Sequence, residues 1–143
     1  MNLAGSVKNT IKQGDGSYFV ESDNGIVTFI KNGKTTAFDF VRFYDNARFK
    51  NKDINVFADE IFYKDTEDFL VAMGGVKIIN ESNSELNAEF FLYNKVTGLA
   101  KFFNNAAVAI LDEDFVRVVE DFKLNIQKYD AKQPQNRAKI VIN

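Results

Sequence analysis

Apolar residues recur at every second position in runs of about 6–9 residues, and clusters of Asn, Asp, Gly and Lys separate the runs. A strand turns successive side chains to opposite faces, whereas a helix needs a spacing near 3.6, so this alternation predicts successive antiparallel strands. The sharpest stretch is Gly25-Ile-Val-Thr-Phe-Ile-Lys-Asn-Gly-Lys-Thr-Thr-Ala-Phe-Asp39. Asn32-Gly33 within it is a strong hairpin signal, because a type I′ turn needs positive φ at both central residues. It joins a strand near Ile26–Lys31 to one near Lys34–Phe40. Gly14-Asp15-Gly16 and Asp23-Asn24-Gly25 read as turns for the same reason. One helix is expected near the N-terminus, around Leu3–Lys12.

From Phe40 the pattern repeats. Ala58-Asp-Glu-Ile-Phe-Tyr63 leads through the polar turn Lys64–Asp68 to Phe69-Leu-Val-Ala-Met73, the pair Gly74-Gly75 and Val76-Lys-Ile-Ile79. Ala88-Glu-Phe-Phe-Leu-Tyr93 begins the same frame 30 residues later. It continues through Asn94–Gly98, Leu99–Phe103, Asn104-Asn105 and a strand over Ala106–Ile110. A half copy precedes these in Val41–Ala47, where Asp45-Asn46 stands in for the pair. A looser copy, also expected as a strand, follows in Val116–Ile126. Repetition at this period points to stacked β-hairpin units, none able to bury its apolar face alone.

Strict alternation assigns the faces. Ile54, Val56, Ala58 and Phe62 share one side; Leu86, Ala88, Phe90 and Leu92 share the matching side. Val76 with Ile78, Val108 with Ile110, and Val116, Val118, Phe122, Leu124 and Ile126 extend it. The opposite side is not polar, since Phe57, Ile61, Tyr63, Phe91 and Tyr93 fall on it. That implies either two buried faces or an exposed apolar surface that pairs with something.

Composition removes most chemistry. The 143 residues include no His and no Cys, which removes the commonest general base and metal ligand, any disulfide framework and any cysteine nucleophile. Net charge is −2, pI is about 5.2 and basic residues are scattered, which argues against nucleic acid as a partner. No run approaches the length of a membrane-spanning helix. The N-terminus lacks the apolar core of a signal peptide, so either the chain works in the cytosol or a leader has been removed. Asp112-Glu-Asp114 and the acidic residues between Asp65 and Asp68 read as solvated turns rather than cation sites. Gly14-Asp-Gly-Ser17 lacks the Gly-Lys-Ser/Thr of a phosphate loop. A glycosidase needs two carboxylates at a fixed separation, and nothing singles out a pair. The expectation is a protein that is not an enzyme, with no cofactor and no metal.

The repeat resembles the OstA-like family, the LptA-type periplasmic lipopolysaccharide-transport proteins. Phe57-Ala-Asp-Glu-Ile-Phe-Tyr63 with Gly74-Gly-Val-Lys-Ile78 carries the likeness best. Asn87-Ala-Glu-Phe-Phe-Leu-Tyr93 with Asn104-Asn105 carries it next, and the resemblance spans about residues 40–130. It implies an all-β domain over residues 1–143, with N-terminal hairpins over 1–39, repeats over 40–130 and a C-terminal edge strand over 131–143. The fold it implies is a V-shaped antiparallel β-jellyroll around an apolar groove. It further implies non-catalytic binding and transport of a lipopolysaccharide-like amphiphile in the periplasm. Head-to-tail homo-oligomers and envelope transport partners would join through edge strands such as Arg137–Ile142. The groove residues on the presumed inward face are Val56, Phe62, Val76, Ile78, Phe90, Leu92, Val108, Ile110, Val118, Phe122 and Leu124. An acyl chain suits such a trough, since each buried CH₂ contributes roughly 0.8 kcal/mol. The alternative is a structural or interaction protein of repeated hairpins (a surface, virion or scaffold component), cytoplasmic in that case.

Overall fold

The computed structural model describes residues 2–13, 16–33, 35–64 and 66–131. Seven strands come first: β1 (Asn2–Gln13), β2 (Gly16–Asn32), β3 (Thr35–Lys50), β4 (Ile54–Lys64), β5 (Phe69–Asn80), β6 (Glu85–Asn94) and β7 (Ala100–Phe103). Helices α1 (Ala106–Ala109) and α2 (Glu113–Ala131) follow. The strands form one antiparallel sheet in chain order, so the chain is a mostly-β meander of hairpins, as the alternation predicts. Asn32 pairs with Thr35 around Gly33, whose φ is +66°, and Gln13 pairs with Gly16. Asparagine closes the later turns: Asn51 Oδ1 accepts from Asp53 and Ile54 N–H at 2.8 and 2.9 Å. Asn80 and Asn94 do the same for Ser82 and Ser84, and for Val96 and Thr97.

The long strands are bent at one level. The pairing register skips between Glu21 and Asn24, Tyr44 and Ala47, Phe57 and Glu60, and Met73 and Val76, so bulges line up across neighbouring strands. On β3 the bulge is Asp45-Asn46, with φ +61° and +57°; on β5 it is Gly74-Gly75, with φ +86° and +54°. The strands between present Asp23, Asp59 and Glu89, all solvent-exposed. Asn24 Nδ2 donates to Asp45 Oδ2 and Asn46 Nδ2 to Asp23 Oδ2, each at 2.7 Å, which ties β2 to β3 along the crease. Ala47 pairs with Ala58, and Val76 with Ala88, on the inner side, where bending leaves room only for small side chains.

The bend brings distant strands together. β2 and β6 are four strand spacings apart, about 19 Å in a flat sheet. Yet the Tyr18 and Tyr93 rings lie 5.3 Å apart, and Phe49 of β3 lies 4.7 Å from Tyr93. The sheet therefore curls over its concave face, while β1 and β7 remain unpaired with each other.

Several expectations are corrected. The stretch near Leu3–Lys12 is strand, because its residues pair with β2 along the whole hairpin. Asp23-Asn24-Gly25 is not a turn but the crease of one continuous strand. Ala106–Ile110 is helix α1 with its C-cap, and Val116–Ile126 lies within α2. Both segments leave the sheet after Asn104-Asn105. Asn105 Oδ1 accepts from the Val108 N–H at 3.0 Å, and Asp112 Oδ1 accepts from the Phe115 N–H at 3.0 Å, so each helix is capped by its own side chain. Asp112-Glu-Asp114 is accordingly a helix start, with two carboxylates in the first turn where the macrodipole favours them. Helix α2 is described as far as Ala131, and the expected edge strand Arg137–Ile142 lies outside the described residues.

A Cβ on Gly74 would stand 2.5 Å from Asp59 Oδ2 and 2.7 Å from Asp59 Cβ, whereas one on Gly75 meets nothing within 4 Å. Gly74→Ala should therefore cost about 2–4 kcal/mol in urea unfolding, and Gly75→Ala only the left-handed backbone term of about 1–2 kcal/mol. Equal losses would mean that Asp59 yields without cost.

Candidate functional site

The sheet carries two apolar surfaces, and both are covered. The concave surface joins Tyr18, Val20, Val41, Phe43, Phe49, Val56, Ile61, Tyr63, Leu70, Val76, Ile78, Phe91 and Tyr93 in one continuous cluster on both sides of the crease. Its closing seam is aromatic: Tyr18 stacks on Phe49 at 5.4 Å, Phe49 meets Phe91 at 5.3 Å, and Phe91 stacks on Phe102 at 5.3 Å. Ser22 is the one buried non-aromatic polar residue among those described, and its hydroxyl donates to Asn24 O at 2.6 Å.

The convex surface divides at the crease. On the Ile61–Tyr63 side it is apolar and lies under α2. Phe122 stacks on Phe62 with centroids 3.5 Å apart and meets Phe40 at 5.1 Å, while Phe115 packs edge-on to Phe90 at 4.9 Å and Phe103 at 5.3 Å. Phe115, Val118, Val119 and Phe122 follow helical spacing, which turns them to one side. Ion pairs edge the contact: Arg117–Glu67 at 2.8 Å, Lys64–Asp121 at 3.5 Å and Lys101–Asp112 at 2.9 Å. Across the crease, cross-strand ion pairs stand on the convex side instead, Arg48–Glu21 and Lys77–Glu85 among them. Each is worth little by itself on a solvated surface.

The eleven expected groove residues do not share one face. Val56, Val76 and Ile78 belong to the concave cluster. Phe62, Phe90, Leu92, Val118 and Phe122 lie in or against the helix-covered cluster. Val108, Ile110 and Leu124 are exposed on the helices. The crease explains the division. On β4 the inward residues run Val56, Ala58, then Ile61 and Tyr63; on β6 they run Ala88, then Phe91 and Tyr93. On β4 and β6, which face the bulges of β3 and β5, two residues intervene at the crease where strict alternation allows one, so every position beyond it changes sides; on β3 (Phe43 to Ala47) and β5 (Ala72 to Val76) three intervene and the faces are kept. Ile61, Tyr63, Phe91 and Tyr93, assigned outward by alternation, are interior. Tyr18 and Phe49 of the seam were missed as well; their only signal is an aromatic at a strand end, which is too common to single them out.

Two outcomes test this arrangement. Phe122→Ala should cost about 3–5 kcal/mol, because it removes a fully packed ring between two others. Leu124→Ala, 56% exposed, should stay within about 0.5 kcal/mol. Acidity provides the second. Burial raises the Asp112 pKa, but hydrogen bonds from Lys101 and the Phe115 N–H outweigh it and hold the carboxyl below its usual value. A depressed folded-state pKa stabilises above the unfolded value, and that stability is lost as pH falls through the folded value. Wild type should thus melt above Asp112→Asn at neutral pH, with the gap closing below about pH 4. A gap that persists at pH 2 would remove the ionic contribution. Comparison with known proteins finds no matching family model and no matching curated sequence.

Proposed function

We propose that this protein binds the acyl portion of an amphiphile along its concave face, as a non-catalytic lipid carrier of the lipopolysaccharide-transport type in the periplasm. The observation that carries this reading is the curled, unclosed sheet. Its apolar interior continues across the crease, and its two sides meet at the seam through aromatic side chains instead of ladder hydrogen bonds. Such a seam can widen around a chain of methylenes without breaking any strand pairing. The ligand would recover the apolar burial that the parted rings lose. Among the described residues, β6 pairs with β7 only over Phe90–Tyr93, which leaves Glu85–Glu89 as a free edge of the kind that head-to-tail association uses.

A structural or interaction role is favoured by a different observation. Val20, Phe43, Phe49, Val56, Ile61, Leu70, Val76 and Phe91 are each under 2% exposed, so the interior is filled by the protein itself.

Binding of a fluorescent polyene fatty ester separates the two. A carrier should bind it saturably at one site. Ala58→Leu, at the crease and 8% exposed, should occupy the trough, at a folding cost of about 1–3 kcal/mol, and lower affinity at least tenfold in a still-folded protein. No saturable binding by wild type, or unchanged binding by folded Ala58→Leu, refutes the carrier reading.

A further inference from the structure

Tyr18, at the start of β2, is 2% exposed, and its hydroxyl is buried with no hydrogen-bond partner among the described residues. A buried hydroxyl left unpaired is destabilising, and native structures rarely keep one without a use. This one sits in the seam: its ring stacks on Phe49 at 5.4 Å and meets Tyr93 edge-on at 5.3 Å. At the other phenol of this end, Tyr93, burial also raises the pKa, and the neighbouring Asn51 side chain opposes the rise. Burial, with Tyr63 and Tyr93 adding to it, pushes the Tyr18 pKa far above the ordinary phenol value, so the group remains a proton donor at any physiological pH.

We infer that the Tyr18 hydroxyl is the polar anchor of the seam and donates a hydrogen bond to a neutral carbonyl acceptor on an acylated ligand. This rests on the proposed acyl-binding role. The seam is where a ligand would part the sheet, so this buried donor lies along the path that an acyl chain would open. The cluster residues themselves are aliphatic and aromatic, and the cations at its margin are engaged: Lys95 Nζ lies 4.8 Å over the Tyr63 ring and donates to Lys64 O, and Arg48 pairs with Glu21. A carboxylate brought there would have to draw one of these cations away or be buried without a counter-charge, at large desolvation cost, whereas an ester carbonyl needs only one donor. The chemical class selected is therefore an O-acyl ester rather than an ionised fatty acid.

The test uses the full chain and Tyr18→Phe, with methyl laurate, n-dodecane and sodium laurate delivered from cyclodextrin at neutral pH and followed by titration calorimetry. Wild type should bind methyl laurate about three- to tenfold more tightly than dodecane, and laurate most weakly. Tyr18→Phe should bring methyl laurate down to the dodecane affinity and leave dodecane unchanged. Ligand-free Tyr18→Phe should melt at or above the wild-type temperature, because an unpaired hydroxyl has been removed. A clearly lower melting temperature would show that the hydroxyl already has a partner, such as an internal water, and would overturn the anchor. So would equal affinity of wild type and variant for methyl laurate. If dodecane binds but the ester gains nothing, the anchor alone fails; if no probe binds wild type, the acyl-binding reading falls with it.

Discussion

The crease is the constraint on which the rest depends. The register shifts at this level run from β1 to β6, with the extra residue inserted in alternate strands, and on β3 and β5 a left-handed backbone accommodates it. The chain solves the same geometry in two chemistries. On β5 it uses Gly74-Gly75, where no Cβ opposes positive φ and Asp59 can close over the backbone. On β3 it uses Asp45-Asn46, among the few L-residues that tolerate this region, and joins them to Asp23 and Asn24 by reciprocal side-chain hydrogen bonds. The glycine solution costs chain entropy; the Asp-Asn solution costs backbone energy that the hydrogen bonds offset in part.

The architecture follows from that bend. A flat seven-stranded meander would leave two broad faces, each needing a separate cover. Curling lets the concave face cover itself: Tyr18 and Phe49 from one side meet Phe91 and Tyr93 from the other, so residues far apart in the sheet share one core. Only the convex surface on the Ile61–Tyr63 side of the crease is left needing a partner, and α2 supplies it through Phe115, Val118 and Phe122. The division of labour accounts for the apolar residues on both sides of β4 and β6. Two buried faces exist, but one is covered by the sheet and the other by a helix.

Much of this was legible in the sequence, and the misreadings share a cause. Alternation located the strands, Asn32-Gly33 fixed a hairpin, and the 30-residue frame marked where the crease falls. Ala58-Asp59 and Ala88-Glu89 are in fact its signature: a small residue where the concave side is crowded, then an acidic one turned to solvent. Period-two counting carried straight through those dipeptides inverts everything beyond them, which is why Phe62, Phe90 and Leu92 were grouped with Val56. The helices were hidden for another reason. Val116-Arg-Val-Val119 has strand-like composition, and β-branched residues favour strands only where a neighbouring strand is available to pair. Here Asp112 and the acidic first turn outweighed that preference. The capping pattern of an acidic residue before an apolar run is present in the sequence, but three carboxyl-rich residues in a row equally suit a turn.

Asn104-Asn105 shows how the repeat ends. In frame, it occupies the position of Asp45-Asn46 and Gly74-Gly75, and another strand beyond it would have extended the sheet past the crease. Instead the Asn105 side chain caps α1, so the residue type that elsewhere stabilises a bulge here starts a helix. The consequence falls on the neighbour. Among the described residues, β6 is paired on both sides over Phe90–Tyr93 but only with β5 along Glu85–Glu89. An open edge invites pairing with other chains unless it is short, charged or covered. This one is five residues long, with Glu85 and Glu89 at its ends and Lys77 held against Glu85 at 2.6 Å. Short length and paired charge restrain indiscriminate addition of strands. Among the described residues, ending the repeat at Asn105 thus leaves β6 with an open edge on one side of the crease, while α2 covers the sheet on the other.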